Sequence, residues 1–430
     1  MSTTRSDERG NGHGALVPLD EARAFVVDRC APLAARDVPV GEASGLVLAV
    51  AVVADQDVPP FANSAMDGYA VRAAETAGAP CRLVERGALM AGDAPTIAVG
   101  AGEAVRIMTG APLPPGADAV CKVEETVRGE DGTVVIERPV SAGENVRAAG
   151  DDIAAGSEVF VPGTTLTPAA IGVVASLGVD TVRVRPRPRV AVVATGDELV
   201  TGPGPLAPGK IRDANRPALL ARLVVDGFDA VDLGQVGDEP QALAAVLERA
   251  GGLADAVVAT GGVSVGDRDV VKAVLSERCH DMRWMQVAIK PAKPFAFGTL
   301  ATTGVPVFGL PGNPVSALVS YELFARPGLR RLAGSATTDR PRLAATAEAP
   351  LARRTDGKLH LLRVVARARA DGTLGVRPAG GQGSHQLRAM AAANALAIVP
   401  DGDGVPEGGA VEVVVLDPFG PVADDRAWPS

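Results

Sequence analysis

The segment Ile289-Lys290-Pro291-Ala292-Lys293-Pro294 sets two lysines on a stiff piece of chain, each directly before a proline. Proline fixes its own φ and restricts the preceding residue, so both lysines are presented on a stiff backbone segment. Such a pair suits an oxyanion; the plainer reading is an exposed basic edge. Thr195-Gly196-Asp197-Glu198 places two adjacent carboxylates where an apolar run stops. Mg2+ binds through one or two carboxylates plus phosphate oxygens, so this tetrapeptide can serve a metal; read plainly, it is a solvated turn. Thr260-Gly261-Gly262-Val263-Ser264-Val265-Gly266-Asp267, with Asp269 just beyond, strips away side chains so that backbone amides can approach an anion, and adds a hydroxyl. Its plain reading is helix capping by the two aspartates. Leu310-Pro311-Gly312-Asn313-Pro314-Val315-Ser316 is a rigid turn into a helix whose N-terminal amides can face an anion. Asp67, Thr109, Arg147 and the pair Asp151-Asp152 sit in small-residue loops and do not stand out on their own.

The elements around these loops must bring them together. Residues 190–194, 256–259 and 305–309 are short Val- and Ala-rich runs, each reading as a buried strand that ends at one of the loops. Helical patterns follow at 216–225, 269–276 and 315–324. Strand, loop and helix repeated in this way predict an open parallel sheet, in which loops at the carboxyl ends of the strands share one edge and bind ligands. The three loops are therefore expected to converge on one site suited to a phosphate-bearing substrate with a divalent metal.

The 430 residues predict several domains in an α/β multidomain chain. Residues 1–14 read as a disordered tail. Residues 15–56 and 146–188 form a discontinuous N-terminal and linking domain, with helices expected at 18–33, 44–53 and 168–177 and a linker at 183–189. Residues 57–145 read as an inserted β-rich domain. Residues 189–333 are the parallel-sheet α/β domain, where Asp238-Glu239-Pro240-Gln241 suggests a capping box opening a helix at 241–249. Residues 334–418 read as a small β-barrel, and 419–430 as a tail. The net charge of −9 and the scarcity of aromatics argue against a nucleic-acid partner. Cys30, Cys81, Cys121 and Cys279 are scattered, which predicts reduced thiols and no structural zinc. No apolar stretch is of membrane-spanning length, and the expectation is a soluble cytoplasmic protein.

Taken in order, these motifs carry a resemblance. The chain resembles the molybdopterin molybdenumtransferases of the MoeA type, which also form the C-terminal domain of gephyrin, from about residue 16 to residue 416. The likeness rests on 59–61, Met66-Asp67-Gly68-Tyr69-Ala70, Ile107-Met108-Thr109-Gly110-Ala111, Gly150-Asp151-Asp152-Ile153 and the four loop segments above. It implies an elongated, four-domain homodimer whose α/β domain resembles the MogA/MoaB type. The implied site is a cleft between subunits, where the β-rich module of one chain meets the α/β domain of the other. The implied reaction inserts molybdate into adenylylated molybdopterin and releases AMP, assisted by Mg2+. By matching motifs, catalytic roles fall to Asp67, Thr109, Asp152, Glu198, Lys290 and Lys293. Substrate contacts fall to Thr195, Gly196, Asp197, Gly261, Gly262, Ser264, Gly266, Asp269, Pro311, Asn313, Pro314 and Ser316, with Arg363 and Ser384 from the C-terminal region. Metal binding falls to Glu198 and Asp267. The implied partners are a second copy, the molybdopterin adenylyltransferase and acceptor molybdoenzymes. Ala292 departs from the family pattern, which commonly has Gly between the two Lys-Pro pairs. Two alternatives remain: a non-catalytic scaffold of gephyrin type, which need not keep both Lys-Pro pairs, and a molybdopterin adenylyltransferase, whose domain usually stands alone. Molybdate and tungstate are not distinguished by these residues.

Overall fold

The computed structural model describes residues 16–262 and 270–417. They form two compact units, one of residues 37–184 and one of residues 16–36 with 185–417.

The larger unit is built on a six-stranded sheet. Its strands are β1 (Arg189–Thr195), β2 (Asp229–Val236), β3 (Ala256–Thr260), β4 (Cys279–Gln286), β5 (Pro294–Leu300) and β6 (Pro306–Leu310), in the order β2-β1-β3-β6-β5-β4. The first four in that order are parallel, as expected from the sequence. Antiparallel β5 and β4 extend the sheet at one edge. Strands buried on both faces read as continuous apolar runs, and β1 and β3 do so. Alternate residues serve opposite faces. Val190, Val192 and Val258 pack with α1 (Leu19–Val27), α2 (Asn215–Val225) and α5 (Pro314–Ser320). Ala191, Val193, Val257 and Ala259 pack with α3 (Pro240–Leu253) and α4 (Val270–Arg278). Helix α5 continues through a π-helical turn, Tyr321–Ala325, into Arg326–Leu332.

The C-terminal part of this unit is a closed five-stranded barrel of Arg342–Ala347, Leu359–Ala368, Leu374–Pro378, Ala395–Val399 and Ala410–Val415. Ile289–Lys290 pairs in parallel with Leu359 and His360, so the Lys-Pro segment lies on the barrel.

The smaller unit holds a six-stranded sheet in the order Ala119–Lys122, Gly68–Val71, Glu103–Ile107, Cys81–Leu89, Thr133–Ile136, Thr126–Arg128. A separate apolar core joins Val38, Leu48, Leu166, Val174 and Val184.

Several sequence expectations are corrected. The helix expected at 44–53 is absent; strands Val47–Leu48 and Val52–Val53 occupy it, because Gly45 turns the chain at φ 77° and the β-branched valines favour extended backbone. The helix expected at 18–33 ends at Val27, short of Pro32. The linker expected at 183–189 shrinks to 186–188 between strands Thr181–Arg185 and β1. Glu239 rather than Asp238 caps α3, accepting from the Ala242 amide at 2.8 Å, and α3 runs on to Leu253.

Candidate active site

Three strand-end loops do converge. A cavity of about 400 Å3 at the carboxyl ends of β1, β3 and β6 is lined by Thr195, Glu198, Gly261, Gly262, Gly312, Asn313 and Pro314, together with Asp213 and Asn215 from the turn before α2. A dense set of bonds ties the loops together. Asn215 Nδ2 donates to Thr260 Oγ1 at 2.9 Å and to the Gly312 carbonyl at 2.7 Å. Thr260 Oγ1 donates to the Pro311 carbonyl, and the Gly261 amide to the Leu310 carbonyl at 3.1 Å. Gly261 has φ +100°, and a Cβ there would collide with the carbonyl oxygen of Thr195. Glycine is required because the β1 and β3 backbones meet at this point.

Neighbouring carboxylates separate here. Glu198 lines the cavity, with its carboxylate folded over Gly196. Asp197 instead accepts the Asp238 amide at 3.0 Å, so it holds the turn after β2. Ser316 is buried one turn into α5, and its neighbour Val315 donates its amide to the Ser384 carbonyl at 3.1 Å. Ser264, Gly266, Asp267 and Asp269 lie outside the described residues.

The lysines sit elsewhere in the same unit. Lys290 lines a second cavity of about 400 Å3 with Arg353, Arg354, His360, Arg363 and Gln382. Lys290 and Lys293 are both exposed, and the backbone carbonyl of Lys293 accepts from Val287 at 2.7 Å. Ala292, between them, has φ 73° and is buried.

Two buried arginines in this second cavity differ in kind. Arg353, whose side chain is fully buried, spends its donors on the carbonyls of Arg354, Lys358, Val399 and Pro400 and on Asp356 and Asp401. Arg363 is 1% exposed; its backbone amide donates to Gln382 Oε1 at 2.9 Å, and its side chain donates only through Nη2, to the Gly381 and Gly383 carbonyls at 3.1 and 3.2 Å, with Nε unpartnered among the described residues. Burial pulls its pKa down to about 10. A buried, sparsely bonded guanidinium among the residues lining a cavity is a charge that an anion in that cavity would compensate.

Within the smaller unit, Asp67 accepts from the backbone and the hydroxyl of Thr109, at 2.7 and 2.8 Å. These bonds, the backbone one first, hold its carboxyl below the ordinary value. Asp152 is exposed, and its amide donates to the Val58 carbonyl at 3.0 Å.

Mg2+ has a donor set here compatible with its chemistry. Among the described residues no three His, Cys, Asp or Glu side chains cluster as a metal site. Among the described residues two carboxylates line the glycine-walled cavity, Glu198 and Asp213. Asp213 already accepts from Arg216 Nε at 2.9 Å, which leaves Glu198 as the better candidate. Mg2+ commonly takes one or two carboxylates and completes its shell with phosphate oxygens and water.

Sequence reasoning missed Asn215, Asp213 and His360. Asn215 and Asp213 lie in Ile211-Arg212-Asp213-Ala214-Asn215, a polar break between an exposed loop and an apolar helix, which is the one signal available. His360 lies in a barrel strand with no local mark.

The comparisons with known proteins agree along the chain. Residues 17–178 match the MoeA N-terminal region (domain I and II), 191–331 a probable molybdopterin binding domain, and 347–416 the MoeA C-terminal region (domain IV). The chain is 39% identical over 387 residues to molybdopterin molybdenumtransferase 2 of Mycobacterium tuberculosis H37Rv, covering 88% of this chain and 93% of that one. It is 34% identical over 405 residues to the molybdopterin molybdenumtransferase of Haemophilus influenzae, covering 94% and 99%. The crystal structure of the molybdopterin biosynthesis MoeA protein of Pyrococcus horikoshii OT3 superposes with TM-score 0.79 at 27% identity, covering 93% of this chain and all of that one. The chain belongs to the MoeA family of molybdopterin molybdenumtransferases.

Proposed function

We propose that the protein acts in molybdenum cofactor biosynthesis, inserting molybdate into adenylylated molybdopterin with release of AMP. The observation that carries this reading is the buried, sparsely bonded guanidinium of Arg363 in a cavity that also presents Lys290 and, among the described residues, no lining carboxylate. A tetrahedral dianion answers all of those groups at once. The glycine-walled cavity of the α/β domain supplies what a pyrophosphate linkage needs: close backbone approach at Gly261 and Gly262 and the N-terminus of α5.

In the reaction a molybdate oxygen would bond to the molybdopterin phosphorus as the phosphoanhydride breaks and AMP leaves with the bridging oxygen; the two dithiolene thiolates would then bond to molybdenum as that Mo–O bond breaks, its oxygen staying on the molybdopterin phosphate. Lys290, Lys293 and Arg363 would hold the oxyanion, and Asn215 would keep the three loops in register around the nucleotide-bearing phosphate. Glu198 would hold Mg2+, whose charge supports the anionic leaving group. We also read Asp67, positioned by Thr109, and Asp152 as site carboxylates, and the working form as a cytoplasmic homodimer. Its substrate would come from the adenylyltransferase and its product would pass to acceptor molybdoenzymes.

The test is AMP release from adenylylated molybdopterin by purified protein with Mg2+, with and without molybdate. Molybdate-dependent release, lost in Lys293→Ala with the fold intact, is expected. Absence of release from a folded dimer with either molybdate or tungstate would remove the insertase reading.

A further inference from the structure

The basic cavity contains an imidazole that the reaction as described does not use. His360 is 4% exposed, on the barrel strand that pairs with both Lys290 and Val399. Its Nε2 lies 3.0 Å from Asp356 Oδ1. Asp356 also accepts from Arg353 at 3.1 Å and from Lys358 at 3.2 Å, with the Lys290 ammonium 4.0 Å away. Hydrogen bonds from His360 and Lys358 outweigh partial burial and keep the Asp356 carboxyl below its ordinary pKa. An ionised carboxylate only accepts, so Nε2 carries the donating hydrogen and Nδ1 is the nitrogen that takes a further proton.

The field at the ring is finely divided. Burial, Arg353 and Lys290 oppose an imidazolium, while Asp356 favours it. Arg354 and Arg363 line the same cavity and add positive charge. Burial, the largest influence, prevails, and the ring titrates below the ordinary histidine value of 6.5. A dianion among Lys290, Arg354 and Arg363 reverses the sign of the field from that side.

We propose that His360 takes a proton from solvent onto Nδ1 when a tetrahedral oxyanion of the molybdate class enters this cavity, so that the His360–Asp356 pair couples oxyanion capture to pH. The proposal rests on the reading of the cavity as the oxyanion site. His360 is a positioning and charge-tuning residue, and nothing in its role requires contact with the reacting phosphorus. The sign follows from linkage. The bound state holds one more proton than the free state between the free and bound pKa values of the ring, so binding tightens as pH falls through that window. Below the free value both states are protonated and the gain stops. Molybdate itself stays a dianion across the window.

The experiment is calorimetric titration of the full-length protein with sodium molybdate alone, in buffers of different ionisation enthalpy, at about pH 6.5 and about pH 8. The expected result is net proton uptake near the lower pH and an affinity higher by roughly three- to tenfold per unit fall in pH. His360→Gln, which can still donate to Asp356, is expected to abolish the uptake and flatten the pH dependence. Equal heats in all buffers, with molybdate bound, would overturn the proposal and leave the cavity's assignment standing. Uptake that persists in His360→Gln would overturn it too. Failure of the wild-type protein to bind molybdate at either pH would overturn both, and that result needs no variant.

Discussion

The two cavities of the larger unit are built from different materials. The strand-end cavity is lined mainly by backbone, glycine and small polar side chains from loops that each end a buried strand, with Glu198, Arg212 and Asp213 as its charged members. The barrel-side cavity is made largely of charge, drawn from Lys290, from 353–354 and from the strand bearing His360 and Arg363, with the neutral amide of Gln382 beside them. The first needs shape and close approach, so its residues are fixed by φ and steric room. The second gathers several cations against few carboxylates, so what matters there is which donors are left unspent. The contrast between Arg353 and Arg363 makes the point. Equally hidden, one is consumed by carbonyls and carboxylates and holds a loop; the other keeps a donor in reserve.

The largest effect that would break this comparison is at Arg363. Arg363→Met removes a charge that burial disfavours, along with two bonds to carbonyls, so stability should change by only about 1 kcal/mol. Molybdate binding should fall on the order of 100-fold, from about 3 kcal/mol of charge-assisted bonding. Calorimetry and thermal melts read the two together. Unchanged binding would make Arg363 a structural residue like Arg353. Next is Gly261→Ala, where a methyl meets the Thr195 carbonyl at φ +100°. Destabilisation of about 2 to 3 kcal/mol is expected in denaturant melts, with nucleotide-dependent turnover lost. A neutral result would mean the β1 and β3 loops separate easily and shape does not define that cavity. Asn215→Ala should cost about 1 to 2 kcal/mol, because the Gly312 carbonyl and the Thr260 hydroxyl lose a shared donor. The rise in KM should exceed the fall in kcat if Asn215 acts only by holding the loops in register.

A smaller effect belongs to the other unit. Thr109→Val deletes the hydroxyl bond to Asp67 and leaves the backbone bond. The Asp67 pKa should therefore rise while staying below the ordinary carboxylate value of 3.8. A depressed carboxylate contributes stability above its unfolded pKa and loses it as pH falls through the folded one, so the variant should lose that contribution at a higher pH. NMR titration of the Asp67 carboxyl checks the direction, and no movement would mean that the backbone bond alone sets the value.

How legible these features were follows from the same physics. The strand-end cavity was readable because β1 and β3 are Val- and Ala-rich runs that stop at glycine, and β6 is a short buried run that stops at proline. Strand β4 was not, because Cys279–Gln286 is an edge strand rich in half-exposed polar residues and lacks an apolar pattern. The Val-rich segment at 44–53 misled, since apolar content alone does not separate a helix from paired short strands. The carboxylates Asp197 and Glu198 read as a pair because they are adjacent, but the turn at Asp238 recruits one of them. His360 was invisible for the opposite reason: its importance comes from Asp356 and Lys290, which chain closure brings near and local sequence does not mark.

The smallest expected effect tests the Lys-Pro segment. Ala292 lies between the two Lys-Pro pairs, and its φ of 73° is the left-handed conformation that favours glycine. Holding an L-residue there costs roughly 1 to 2 kcal/mol. The methyl is buried in the main core, at 2% exposure, and its burial returns about 0.8 kcal/mol. Glycine would also gain unfolded-state entropy of about 0.4 to 1 kcal/mol that alanine lacks, which opposes the relief of strain. The sum for Ala292→Gly is close to zero, within about 0.5 kcal/mol in chemical denaturation. Its effect on molybdate binding should also be slight, because Pro291 and Pro294 still restrain Lys290 and Lys293. A destabilisation well beyond that range would show that methyl packing outweighs backbone strain. A clear gain in stability would show that strain dominates. Weakened molybdate binding with unchanged stability would show that the methyl itself helps fix how the two ammonium groups are presented.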